Sequence, residues 1–434
     1  MMRYQHVLLF CAISGIVLNG CKKDKENEAP HVTITSPTDG ASITVPDSLV
    51  VNVQASDDIG LEQITVSILD QNNIPVVAPV GASVSGTSAS VTLVLPILSE
   101  LLESGDYKLF ATASDGSLLG KDFRTVHITA TPLRLRALFT LTAPSAGTVS
   151  LYKTDSVGQT TLAATWSMDL GGAAISSAAQ RLCVAGGSLG DLRVLSPDNL
   201  DVIWQRPNLS TVGAPWFNSV DLCADGRFYI GQDDGTLRGL TASNGTGTMN
   251  ASLPPQFRVV QAITSGELVV TTERNFVTQE QRVGTYFKAS GSLVSSQPLA
   301  LTPVRMFERT ADYVLIFGNQ GGQGRVLERN LPGGGGWEPH NWSSPITAVE
   351  QLNSNTWLVA LANGDLQRFT YSDAGSLSIG TTPMLSTLVK DKMSGAVYGG
   401  ADGHVLILDP SNGTVLGDIP VGGQVVKVLP LFNR

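Results

Sequence analysis

From residue 31 to residue 129 the chain runs in short stretches where apolar and polar residues alternate: His31–Thr35, Leu49–Ala55, Gln63–Leu69, Ser90–Leu95, Tyr107–Ala113 and Phe123–Thr129. Clusters of Gly, Pro, Asp and Asn separate them. A period of two sends successive side chains to opposite faces of a strand, and about seven such strands in about 100 residues predict a β-sandwich, here over residues 31–131. Pro37-Thr38-Asp39-Gly40 reads as a tight turn, since proline presets φ and glycine accepts positive φ. From residue 133 the pattern changes. Apolar runs such as Phe228-Tyr229-Ile230, Trp357-Leu358-Val359-Ala360 and Ala396-Val397-Tyr398 lose strict alternation, as strands covered on both faces do.

Each of these runs precedes a glycine, and the glycines recur: Gly147, Gly190, Gly235, Gly284, Gly324, Gly364 and Gly403, at intervals of 43, 45, 49, 40, 40 and 39. A two-residue hairpin favours Asp-Gly or Asn-Gly, so these glycines are expected where the second and third strands of a repeat meet. Four strands in about 40 residues are the period of a propeller blade, and seven units predict seven blades over residues 133–434. Val425–Leu429 reads as an orphan inner strand, while the unit at Gly147 has no inner strand of its own. Pairing the two would close the ring and remove its exposed edges. The fold class is therefore all-β: a sandwich followed by a seven-bladed propeller closed by N- and C-terminal strands.

Composition agrees: 45 glycines and 22 prolines suit many turns and exclude long helical repeats. The first residues stand apart. Arg3 precedes an apolar run from Val7 to Val17, and Leu18-Asn19-Gly20-Cys21 follows. The run of about eleven residues is short for a membrane span, which needs about twenty, so residues 1–20 read as a signal segment. Its removal takes only the charge of Arg3, leaving −10 in place of −9, and an acidic chain carries no footprint for nucleic acid. Residues 21–30, rich in Lys, Asp and Glu, read as a flexible tether. Of four cysteines, Cys11 leaves with the signal, and Cys183 and Cys223 lie in apolar strands. They are expected as buried thiols, with a disulfide between neighbouring blades as the alternative.

Three resemblances follow from these residues. Leu18-Asn19-Gly20-Cys21 resembles a bacterial lipobox, which implies lipidation of Cys21. In outer-membrane lipoproteins a Lys after that Cys implies release to the outer membrane, facing the periplasm or the cell surface. Ala55-Ser56-Asp57-Asp58-Ile59-Gly60-Leu61 and Gly105-Asp106-Tyr107-Lys108-Leu109-Phe110-Ala111-Thr112-Ala113-Ser114-Asp115 resemble bacterial immunoglobulin-like repeats, in which the tyrosine packs at a strand corner. Ile230-Gly231-Gln232-Asp233-Asp234-Gly235-Thr236-Leu237 and Tyr398-Gly399-Gly400-Ala401-Asp402-Gly403-His404-Val405, each followed by Ser-Asn-Gly, resemble quinoprotein-type propeller repeats, with Trp166 and Trp204 at the outer-strand position. That likeness implies fold rather than activity. The vicinal cysteines of quinone-holding members are missing and seven blades depart from their eight, so no cofactor is expected; members without cofactor act as scaffolds.

The candidate chemistry is sparse. His31, His127, His340 and His404 never stand at metal-ligand spacing. Asp57 and Asp58 are a weak candidate for calcium, their alternative being a solvated turn. Loops on a rigid scaffold carry function, so Trp216, Phe217 and Trp342 are candidate ligand-binding residues, with packing between blades as the alternative. Arg258 and Arg305, near inner strands, can face the channel and hold an anion, with solvated rim charges as the alternative. The expected function is a lipid-anchored binding or scaffold module with a protein or glycan partner; the alternative is a propeller hydrolase or lyase acting on carbohydrate.

Overall fold

The computed structural model describes residues 27–210 and 215–434. Cys21 and the segments around it lie outside the described residues. The described chain forms two compact units that divide between Pro132 and Leu133.

In the first unit His31–Ser36, Asp47–Ser56 and Ser88–Ile97 make one sheet. Ala41–Thr44, Leu119–Thr129, Gly105–Ser114, Gln63–Leu69 and Val80–Ser83 make the other. Alternation decides what is buried: Val51, Val53 and Ala55 from one strand meet Leu93, Leu95, Ile64, Val66, Leu109 and Ala111 in a single core. Two four-residue edge strands, Ala41–Thr44 and Val80–Ser83, are too short to announce themselves in the sequence. The turn at Pro37–Gly40 forms, with Gly40 at φ 77° and the Asp39 carboxylate accepting the Thr125 N–H at 2.6 Å. Tyr107 Oη donates to the Glu103 carbonyl at 3.1 Å, tying the strand to its own entry. The last residues assigned to the tether, 27–30, are placed against this sandwich: Pro30 is buried, and a Cβ on Gly120 would lie 1.8 Å from its carbonyl oxygen.

The second unit is a ring of seven blades, with blades 7 and 1 sharing one six-stranded sheet. Blade 2 begins with the inner strand Leu170–Ser176, blade 3 with Phe217–Leu222, blade 4 with Phe257–Ser265, blade 5 with Thr302–Thr310 and blade 6 with Ile346–Asn353; each is a four-stranded meander. Thr387–Lys390 opens blade 7. The long strands Val397–Leu408 and Val415–Phe432 turn at Gly403 and Gly423, so each serves twice. Their outer portions complete blade 7, and residues 424–432 become the inner strand of blade 1 by pairing with Leu135–Ser145, which pairs in turn with Thr148–Asp155. Val425 opposes Thr142 and Leu429 opposes Phe139. The seven inner strands neighbour one another in sequence round to the start, so the ring is closed by the pairing of residues 424–432 with Leu135–Ser145, as the orphan strand predicts.

Between blades the second strands supply the core. Phe228, Phe317 and Trp357 are fully buried, and Phe317, Trp342, Trp357 and Phe369 pack with ring centroids about 6 Å apart. Such pairs add about 0.5–1.5 kcal/mol each beyond the area they bury. Gly171 and Gly172 let blades 2 and 3 meet: a Cβ would lie 2.3 Å from the Phe217 carbonyl oxygen or 2.7 Å from the Val220 nitrogen. Cys183 and Cys223 are buried and free, and burial pushes both thiols far up.

Gly147, Gly190, Gly235, Gly364 and Gly403 sit at positive φ in hairpins between second and third strands. Two of the periodic glycines do not. In blade 5 the turn is Gly321-Gly322, one residue before the third strand, where Gly324 lies. In blade 4 the hairpin spans residues 276–280, and Gly284 lies mid-strand, because a Cβ there would stand 2.1 Å from the buried carboxylate of Glu273.

Candidate functional site

The blade-to-blade connections and the hairpins between second and third strands emerge on one face of the propeller. On it the segment leading into blade 3 is pinned by hydrogen bonds. Asp169 accepts the Ser188 and Leu189 N–H groups at 2.7 Å; burial pushes its carboxyl up, but these donors outweigh that and hold it below the usual range. Asn208 bonds the carbonyls of Gly187 and Gly190, and Trp216 is clamped between the Gly187 carbonyl and the Asp233 N–H at 2.8 Å each.

The Trp216 ring stands edge-on to Phe217, 6.4 Å between centroids, and its Nε1 is buried with no acceptor among the described residues. It lines a cavity of about 170 Å³ with Arg206, Leu209, Gln232 and Arg238. On the other side of the same strand, Asn218, Arg258, Arg274, Phe276 and Gln279 line a second cavity of about 360 Å³. There Arg258 forms an ion pair with Asp233 and stacks 3.6 Å over Phe276. Four arginines and two aromatic side chains thus share one patch on an acidic chain.

The structure separates the remaining candidates. Phe217 is buried, and Trp342 is only 6% exposed, its Nε1 donating to Ser376 Oγ at 3.1 Å; both pack between blades, so neither offers a ring face to a ligand. Arg305 lies on the inner strand of blade 5, apart from Arg258. Asp57 spends one carboxylate oxygen on the Ile59 and Gly60 N–H groups, at 2.8 and 2.6 Å, as a turn requires, while its Oδ1 is buried without a partner. Asp58 accepts the Glu28 N–H. Among the described residues no group of three or more His, Cys, Asp or Glu converges as metal ligands.

A hydrolytic centre would need a base handed a nucleophile. A cavity of about 370 Å³ beside blade 7 gathers such types, lined by Ser386, His404 and Asp418. His404 Nδ1 pairs with Asp418 at 2.9 Å, but the Ser386 hydroxyl is directed at the carbonyls of Gly400 and Val425, at 3.1 and 2.5 Å. The imidazole is not presented with that proton.

Of the polar residues on the inner strands, sequence reading singled out Arg258 and Arg305 and missed Asp221, Gln261, Glu350 and Lys427. Six inner strands carry a one-residue bulge near their start, at residues 171, 218, 260, 304, 347 and 426. A bulge shifts the two-residue alternation, so the faces cannot be counted through it. Counted from the bulge, Gln261, Arg305 and Lys427 are equivalent, and Asp221 and Glu350 stand two residues further on the same face. Gln261 exchanges hydrogen bonds with the Met306 backbone of the next blade, 2.7 Å from its N–H. Asp221 accepts the Ala262 N–H at 2.9 Å, and Glu350 the Lys390 N–H. Gln261, Asp221 and Glu350 thereby tie the inner strands of blades 4, 3 and 6 to the inner strand of the blade that follows. Burial lifts Asp221 above the usual carboxylate range against the pull of Lys427 and Arg305, lifts Glu350 likewise against Arg305, and lowers the Lys427 ammonium, with Arg305 adding to the effect.

Comparison with known proteins gives a family match within the first unit. Residues 30–115 match the family model described as Bacterial Ig domain. The whole is thus an all-β protein that joins a bacterial Ig-like domain to a seven-bladed propeller. No curated protein matches the sequence. Among solved structures, a quinoprotein alcohol dehydrogenase-like protein from Bacteroides thetaiotaomicron is 13% identical with a TM-score of 0.47, covering 93% of this chain and 99% of that one. The WD40 β-propeller domain of Doa1 is 11% identical with a TM-score of 0.46, covering 70% of this chain and 98% of that one. A chain of the mitotic checkpoint complex is 12% identical with a TM-score of 0.47, covering 60% and 81%.

Proposed function

We propose that this chain is an exported, lipid-anchored binding protein of the outer membrane, in which the Ig-like domain serves as spacer and the connection face of the propeller engages an acidic protein or glycan. The observation that carries the reading is the Trp216–Arg258 patch. Trp and Arg are the side chains that dominate binding energy when desolvated, because they combine large apolar area with directional donors. The unpartnered Trp216 Nε1 and the guanidinium groups of Arg206, Arg238 and Arg274 supply donors for anionic or hydroxylated groups, and the half-exposed Phe276 supplies a ring face. Anchoring by Cys21 follows from the lipobox resemblance.

Two measurements test this. Binding of the wild type to an array of acidic and neutral glycans and acidic peptides is expected to select acidic members. Trp216→Ala and Arg258→Gln should each weaken the selected ligand about tenfold or more; undiminished affinity in both removes the patch. Cys21→Ser should leave the chain unprocessed and released from membranes, and unchanged attachment overturns the anchor.

A further inference from the structure

We propose that the cavity between blades 2 and 3 captures the end of a protein chain: an apolar C-terminal residue whose free carboxylate is held by Arg206 and Arg238. The proposal rests on the Trp216–Arg258 patch being the binding face, and it narrows the partner to a protein with an exposed C-terminus.

The cavity gathers donors. Arg206 ends the outer strand of blade 2, Arg238 lies on the third strand of blade 3, and both line the same cavity of about 170 Å³ with Trp216 and Gln232. Arg206 spends one N–H on the Gly245 carbonyl at 2.9 Å, and a guanidinium has five. Neither arginine makes an ion pair within 4 Å among the described residues, and no acidic side chain lines the cavity. Trp216 Nε1 is a further donor, buried without an acceptor. The one side-chain acceptor on the wall, Gln232 Oε1, already receives the Thr236 hydroxyl at 2.9 Å. An occupant must therefore bring oxygen acceptors, and a carboxylate is favoured because its two oxygens match the fork of a guanidinium.

The rest of the wall is apolar. Buried Ile230 and Leu240 and exposed Leu209 contribute to it. An apolar cavity of about 150 Å³ takes a benzene ring, so this one has room for a single leucine or phenylalanine side chain. The two kinds of wall together select the occupant. A uronic acid would bring a carboxylate, but its hydroxyl groups would lie against Leu209, Ile230 and Leu240 with no side chain free to accept from them, a cost for each. An internal Asp or Glu brings a carboxylate with little apolar body. At a chain end the carboxylate and an apolar side chain sit on the same carbon, so donors and apolar wall are satisfied at once. Capture of a terminal carboxylate is a recurring mode of peptide recognition.

The test is calorimetric titration of the full chain with N-acetylated acidic pentapeptides ending in leucine or phenylalanine. Each is used as the free acid, as the amide, and as an amide with one extra glutamate that restores the net charge. The free acids are expected to bind about tenfold or more tightly than either amide, and more tightly than a free acid ending in serine. Arg206→Gln and Arg238→Gln should each remove most of the difference between acid and amide, whereas a variant that had merely lost its fold would weaken both alike. Free acid and charge-matched amide within about twofold of each other overturn the proposal, as does absence of saturable binding by both free acids. A glucuronate oligosaccharide that competes with the free acids and binds more tightly makes the occupant a glycan and overturns it as well. Amides that bind as well as the acids, and are still weakened by Trp216→Ala or Arg258→Gln, leave the patch standing while terminal capture falls. Binding undiminished in both of those variants removes the patch itself.

Discussion

Removing the Glu273 carboxylate should be among the most damaging single changes in the propeller. Glu273 is wholly buried in blade 4 and accepts hydrogen bonds from Thr271 Oγ1 and Tyr286 Oη at 2.6 Å and from Arg282 Nε at 2.5 Å. Arg282 is itself nearly buried, stacked 3.8 Å over Phe257, and cannot turn to water. Glu273→Leu therefore strands a cation and the Tyr286 hydroxyl, while Thr271 Oγ1 keeps the Gly284 carbonyl at 3.2 Å. Breaking a buried pair from one side costs about 3–5 kcal/mol, and the orphaned hydroxyl adds up to about 1–3 kcal/mol, not additively. Taking about 4 kcal/mol, and about 2–4 °C per kcal/mol for a large domain, the Tm should fall by about 8–16 °C in differential scanning calorimetry. Arg282→Met on top of Glu273→Leu removes the stranded charge, and replacing both members of a buried pair by apolar groups is often neutral. The double variant should thus melt above the single one. A Glu273→Leu protein melting within about 2 °C of wild type, or a second substitution that only adds loss, would refute the reasoning.

Gly284→Ala should destabilise through the same carboxylate, its Cβ arriving 2.1 Å from Glu273 Oε1, and Gly284→Ala combined with Glu273→Gln should not relieve it, a comparison thermal melts decide. Burial raises the folded-state pKa of Asp221, so the stability it contributes is complete below about 3.9 and is lost as pH rises through the raised value. Asp221→Asn cannot ionise and should gain on the wild type as pH goes from about 4 to 7; a Tm difference independent of pH contradicts this. Trp342→Ala should cost about 3–5 kcal/mol by denaturant unfolding, as a buried ring does, while leaving ligand affinity at the Trp216 patch unaltered. Deleting residues 424–434 should abolish the cooperative transition and yield oligomers on gel filtration, whereas a monomer melting like wild type would deny that these residues close the ring.

Much of the fold was legible because its repeating constraint is local. A hairpin needing positive φ must place glycine there, and five of the seven periodic glycines do that work at Gly147, Gly190, Gly235, Gly364 and Gly403. Gly284 kept the period for a different reason, to make room for a carboxylate eleven residues upstream, which no turn rule can reveal. The closing strand could be inferred from a surplus at one end and a deficit at the other. The site was less legible. Trp216 and Trp342 look alike in sequence, and only packing shows that one lines a cavity and the other fills a core. Asp221, Glu350 and Lys427 were hidden behind bulges and by separations of tens to hundreds of residues.

The sheet begun by Leu135–Ser145 is finished by residues 424–432, which are synthesised long after it. Synthesis order and completion order are thus opposed in blade 1, and until residue 424 emerges that strand keeps an unpaired edge while the other blades can already stack. An emerging chain must hold an open arc of sheets, prone to pairing with other chains, for the time needed to make nearly 300 residues. Folding of the finished domain is then gated by its tail, and any chaperone serving it is best placed to shield that one waiting edge.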